Sequence, residues 1–182
     1  MRYFITFLIA IGLIFLLIFL LFHGGSKPKV NPPALTSFAS TDAQVQFTLD
    51  GPINAQQNHQ QIRITVGRDD VTYEQLQGYN GQVVNMQHFA NTQEAYRVFL
   101  AALAHEGFGR VNNDPKLKDE TGVCPLGRRY IFELTQDGQT PYRAWGTNCG
   151  SPKTYLGALI PTIDLFQAQV PGYSNLTQNL LI

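Results

Sequence analysis

Short runs of alternating apolar and polar residues, one capped amphipathic stretch and a single pair of cysteines predict an α+β fold. The expected architecture is a mainly antiparallel β-sheet packed by two helices and closed by one disulfide. An apolar segment at the start of the chain adds an N-terminal transmembrane helix.

Tyr3 to Phe22 is an apolar run that no charge interrupts, and Thr6, Ala10 and Gly12 are its only small residues. Twenty helical residues span roughly 30 Å, the thickness of a bilayer's hydrocarbon core. A secretory leader has an apolar region of about 7–15 residues and a small-x-small cleavage site. Here the run is longer and leaves through Phe22-His23-Gly24-Gly25-Ser26, a poor match to that site. Residues 1–22 therefore read as a transmembrane signal anchor, with the lipid bilayer as partner of residues 3–22. Arg2 stands on one flank and Lys27 with Lys29 on the other, so charge bias alone does not orient the segment. The cysteines decide instead, because an even pair in an exported domain forms a disulfide. The expected location is the cell membrane, single-pass, with the N-terminus cytoplasmic and the C-terminal domain outside.

Gly24-Gly25-Ser26 supplies slack, and Pro28, Pro32 and Pro33 favour extended geometry, so residues 23–41 read as a flexible stalk. Residues 42–173 read as the extracytoplasmic α+β domain and 174–182 as a C-terminal tail. Val45, Phe47 and Leu49 alternate with polar neighbours, as do Ile62, Ile64 and Val66, which predicts two half-buried strands. Gln82 to Met86 reads as a shorter third strand after the Gly78-Tyr79-Asn80-Gly81 turn, and Asp69-Asp70 as a turn with solvated carboxylates. Asn91 stands where a cap is needed, and Tyr96, Phe99, Leu100 and Leu103 follow at helical spacing over 92–106. Tyr130, Phe132 and Leu134 open a hairpin whose tight turn is Asp137-Gly138, with Tyr142, Ala144 and Trp145 on the return strand. A last helix is expected over 158–169, with Pro161 tolerable only in its first turn.

Cys124 and Cys149 are the two cysteines, and they flank that hairpin near the open ends of neighbouring strands. Strands pair about 4.8 Å apart and a disulfide needs Cα atoms about 4.4–6.8 Å apart, so the spacing predicts a bond.

Thirteen basic residues balance thirteen acidic ones, which removes any charge argument for a nucleic-acid partner. Neither a Gly-x-Ser-x-Gly elbow nor a phosphate-cradling glycine loop is present, so no catalytic set and no cofactor are implied. His23, His59, His88 and His105 show no metal-ligand spacing; His105-Glu106 is half of a zinc helix motif without its second histidine. These observations favour a non-catalytic binding or assembly domain with a protein or cell-envelope partner. Either a sheet edge or a Tyr/Phe-rich face would serve as its surface.

Val123-Cys124-Pro125-Leu126-Gly127 places a leucine beside the expected disulfide, which makes Pro125, Leu126 and Gly127 the candidate interaction loop. Over Cys124 to Cys149 the arrangement resembles the secreted subtilisin inhibitors of soil bacteria, in which a Cys-Pro-hydrophobic loop precedes a hairpin and a second cysteine. The resemblance implies a protease inhibitor with Leu126 as its specificity residue. The second disulfide of that family is missing from this chain.

Overall fold

The computed structural model describes residues 34–180 and Ile182, so the predicted anchor and most of the predicted stalk lie outside the described residues. Among those residues no helix is long and apolar enough to cross a membrane. They form an α+β fold around one six-stranded antiparallel sheet. The strands are Gln44–Asp50 (β1), Gln60–Val66 (β2), Asp70–Gln77 (β3), Gln82–Ala90 (β4), Arg129–Gln136 (β5) and Gln139–Thr147 (β6). Four strands run as a meander, and the β5–β6 hairpin joins the free side of β1, giving the order β4-β3-β2-β1-β5-β6. The helices are Gln93–His105 (α1), Leu159–Gln167 (α2) and the short Tyr173–Thr177 (α3).

Period-two alternation puts Val45, Phe47 and Leu49 on one face of β1. The register sets them beside Ile64 and Ile62 of β2 and Leu134, Phe132 and Tyr130 of β5. All are buried, and α1 covers them with Tyr96, Phe99, Leu100 and Leu103. Phe166 of α2 sits at the middle, its ring 5.6 Å from Phe47 and 5.2 Å from Phe99. Each such side chain contributes about 1.5–3 kcal/mol on burial. Pro161 falls in the first turn of α2, where its missing N–H has no helical acceptor.

Four departures from the sequence reading have physical causes. First, Asp70 is no turn residue: it opens β3. The alternation begun by Val71 and Tyr73 does not continue: polar Gln75 takes the next position on that face and Leu76 is buried on the other, which hides the strand from a period-two reading. Second, the end of the predicted stalk is folded. Leu35–Ser40 is a 3-10 helix that buries Ala39 and packs Leu35 and Phe38 against the core. Third, the predicted tail is folded too. Gln75 Nε2 donates to the Leu176 carbonyl at 2.8 Å, and Leu176, Leu180 and Ile182 pack against the core. Fourth, Thr92 rather than Asn91 caps α1, accepting from Ala95 N–H at 3.2 Å. Asn91 instead donates to the Gly67 carbonyl at 2.7 Å and ties the helix entry to the β2–β3 turn.

The second face of the sheet is polar at its centre, with Gln46, Thr48, Arg63, Thr65, Thr72 and Glu74 lining it, and only Thr48 among them fully buried. At the β6 side the charged segment 111–119 folds over that face. Trp145 is buried beneath it and donates Nε1–H to the Leu117 carbonyl at 2.9 Å. An open groove of about 930 Å³ lies there between Asn112, Asp114, Lys118, Glu133 and Arg143.

Candidate functional site: a braced turn over a buried charge cluster

Cys124 and Cys149 are bonded, with Cα atoms 5.9 Å apart. The bond closes the mouth of the β5–β6 hairpin and fixes the Cys124 end of the segment Cys124 to Arg128. Within it the Gly127 N–H donates to the Cys124 carbonyl at 3.0 Å, so Cys124-Pro125-Leu126-Gly127 is a closed turn. Arg128 N–H donates to Asn148 Oδ1 at 2.8 Å and locks the turn to the residues just after β6. Gly127 is needed by shape: a Cβ at that position would collide with Asn148 Oδ1 and the Cys124 sulfur.

Leu126 stands on this turn 87% exposed, the most exposed of the large apolar side chains among the described residues. Burial of a leucine is favourable by about 1.5–3 kcal/mol, so a partner that covers this side chain gains up to that much. Ile53 is also exposed, and its N–H donates to the Pro125 carbonyl at 2.7 Å. An open cavity of about 660 Å³ adjoins them, lined by Pro52, Leu126, Arg128, Leu180 and Ile182. The predicted loop residues Pro125, Leu126 and Gly127 are thus brought together with the 51–58 loop, which local sequence did not single out.

That loop is anchored from below. Asp50 lies opposite Arg129 on one side and Gln61 on the other, the last rung of three paired strands. Arg129 is 3% exposed; its Nε donates to Asp50 Oδ2 at 2.7 Å and its Nη2 to the Gly51 carbonyl at 2.7 Å. Gln61 Nε2 donates to Asp50 Oδ1 at 2.9 Å. His59 is fully buried, with Nε2 2.8 Å from Asp50 Oδ1 and Nδ1 3.1 Å from the Pro52 carbonyl. Tyr79 stacks on His59 at 4.1 Å, and its hydroxyl accepts from Asn54 N–H and donates to the Asn54 carbonyl. A buried carboxylate is tolerated only when paired and hydrogen-bonded, and Asp50 is both. Arg129 Nη1 is buried with no hydrogen-bond partner among the described residues.

His59 is therefore not the surface residue that its polar surroundings suggest. No local pattern marks the cluster, because Asp50 and Arg129 meet only through the β1–β5 pairing. Elsewhere, His105 is exposed and pairs with Glu106 at 3.0 Å, and no group of metal-ligating residues occurs among the described residues. Chemically, the site offers an apolar contact on a stiff mount rather than convergent reactive groups.

No protein-family model matches this sequence, and comparison with curated proteins finds no match.

Proposed function

We propose that this chain is a membrane-anchored extracytoplasmic domain that binds or assembles with a protein or cell-envelope partner through the Leu126 turn. One observation carries the reading: an exposed leucine held by a disulfide, a closed turn and the Ile53–Pro125 hydrogen bond. Preorganisation of this kind lowers the ordering cost of association. Leu126 is then the central apolar anchor, Ile53 and the neighbouring cavity extend the contact, and Arg128 supplies a rim charge.

The test is site-specific photo-crosslinking in intact cells, with the photoreactive residue placed at position 126 or, as control, at the exposed helix position Val98. A discrete adduct from 126 that is absent from 98, and that unlabelled Leu126→Asp chain fails to compete away, supports the reading. Equal labelling from both positions, or equal competition by Leu126→Asp, rejects it.

A second reading, protease inhibition, draws on the same leucine beside a disulfide. Serine proteases take up substrate segments in extended form, and the Cys124–Gly127 turn is closed by a hydrogen bond. That geometry weighs toward docking rather than substrate mimicry. Titration of a subtilisin-type protease with wild-type and Leu126→Asp chains separates the two, since only an inhibitor loses potency on the substitution.

A further inference from the structure

The two edges of the sheet are protected very differently. The β6 edge carries Pro141, a proline that removes a ladder donor, and Arg143, whose guanidinium binds Glu120 and Glu133. Its outer side is capped where the Trp145 carbonyl accepts from Thr154 and Tyr155 N–H at 3.0 and 2.8 Å. The β4 edge has none of these devices among the described residues, and its one irregularity is a bulge at Val84, toward its N-terminal end. Its nine residues, QVVNMQHFA, contain no proline, lysine, arginine, aspartate or glutamate. Val83, Val84 and Met86 are exposed along it, Val84 to 53%. Charges and prolines are how monomeric proteins stop such edges from pairing.

The register shows which peptide groups of β4 have no partner among the described residues. Asn91 N–H donates to the Asp69 carbonyl at 3.0 Å, one rung beyond the Asp70–Ala90 pair. Antiparallel strands turn alternate residues to each neighbour, so Phe89, Gln87 and Asn85 aim their peptide groups at β3. Met86, His88 and Ala90 aim theirs outward. Val84 is the extra residue of a bulge between Val83, opposite Leu76, and Asn85, opposite Gln75, which leaves Asn85 to Ala90 as a regular ladder.

We propose that β4 pairs antiparallel with the β4 of a second copy of this chain, about a twofold axis at Gln87. Gln87 faces its own counterpart, Met86 faces the second copy's His88 and Asn85 its Phe89. No like charges meet, and the twofold keeps the helices of both copies on one side of a continuous sheet. The occupant follows from the asymmetry between the edges. Pro141 and the Thr154–Tyr155 cap bar β6 from pairing with β4 of another copy, so the assembly closes at two instead of growing into a filament. A five-residue ladder is a small interface, so pairing is concentration-dependent. The inference deepens the assembly reading but uses a different surface, and stands whether or not Leu126 binds a partner.

Facing residues of a non-hydrogen-bonded antiparallel pair hold their Cβ atoms about 4.5–5.5 Å apart, close enough for a cysteine pair to oxidise. The experiment is oxidative cross-linking of the full chain in mild detergent as Gln87→Cys, with Val98→Cys as the exposed control. Gln87→Cys is expected to form disulfide-linked dimer at least about tenfold faster than Val98→Cys. Adding Met86→Lys to the Gln87→Cys chain abolishes that advantage, while the near-UV circular dichroism stays unchanged. Equal rates for the two cysteine variants, as collision or contact through another surface would give, overturn the proposal. So does dimer formation that Met86→Lys leaves intact.

Discussion

The Ile53 N–H and the Pro125 carbonyl meet at 2.7 Å, joining two loops that lie 72 positions apart in the chain. The contact connects the exposed turn to the buried charges. On one side of it, Pro52 and Asn54 are bound by His59 and Tyr79; on the other, Leu126 is held between a disulfide and Asn148. Order at Leu126 therefore depends on side chains in the interior of the sheet as well as on the disulfide beside it.

Asp50 is the member of the cluster that the others need. Its carboxylate serves Arg129, Gln61 and His59 together. Removing one partner of a buried ion pair strands the other charge, at a cost of about 3–5 kcal/mol. We expect Asp50→Ala to lower the unfolding free energy by about 3 kcal/mol, whereas Gln61→Ala costs about 1 kcal/mol. Urea unfolding followed by Trp145 fluorescence measures both; similar small losses would show the carboxylate to be dispensable.

Gly127→Ala probes the turn itself. A Cβ there meets Asn148 Oδ1 and both cysteine sulfurs, so the backbone must shift to admit it. Overpacking of this kind costs about 1–3 kcal/mol. The expected readout is a partly unformed Cys124–Cys149 bond, seen as maleimide labelling of unfolded protein without reductant. Labelling as low as in wild type would mean that the turn has room to spare.

Replacing both cysteines by serine isolates the covalent contribution. The bond spans a sequence separation of 25 residues. Restricting a loop of this length in the unfolded chain contributes about 3–3.5 kcal/mol on the chain-entropy model. Equilibrium unfolding of the double serine variant tests this, and a loss below about 1 kcal/mol would place the hairpin's stability in Phe132, Leu134 and Ala144 alone.

At the entry to α1, Thr92→Ala removes the hydroxyl that accepts from Ala95 N–H and is expected to cost about 1 kcal/mol. Asn91→Ala breaks the tie to Gly67 without uncapping the helix. Amide exchange distinguishes them: Thr92→Ala speeds exchange in the first turn of α1, Asn91→Ala in the β2–β3 turn. The reverse pattern would restore Asn91 as the cap.

This pair of residues illustrates what was legible in the sequence. Periodicity placed α1, β1, β2 and the β5–β6 hairpin, because Tyr96 to Leu103 and Val45 to Leu49 bury one face each. The cysteine spacing pointed to the disulfide. Local chemistry could not choose between Asn91 and Thr92, since both side chains cap well and only Gly67, far off in sequence, claims one of them. Likewise β3 was hidden because Gln75 interrupts the apolar alternation that Val71 and Tyr73 begin. The Asp50–His59–Arg129 cluster was hidden because its members lie in three separate segments and pair only after the sheet forms. The Pro125–Leu126–Gly127 loop was visible, but its Ile53 brace was not.

Alkaline pH should loosen the aromatic core in a defined direction. Burial raises the hydroxyls of Tyr96 and Tyr142, and burial together with the nearby Tyr73 pushes Tyr173 up to about 12. In the unfolded chain a tyrosine ionises near about 10. Below that value both states keep the proton and the folded state has its full stability. As pH rises above about 10, the unfolded state gives up protons that the folded state still holds, so stability falls until the folded hydroxyl ionises as well. Urea unfolding from about pH 8 to 11 is expected to be flat at first and then decline, with the buried tyrosines ionising at about 295 nm only as the fold opens. Tyr173→Phe should make the decline shallower, because one of the linked protons is gone. An unchanged slope in that variant would show that Tyr173 already meets solvent in the folded chain, and that α3 does not seal the end of the sheet.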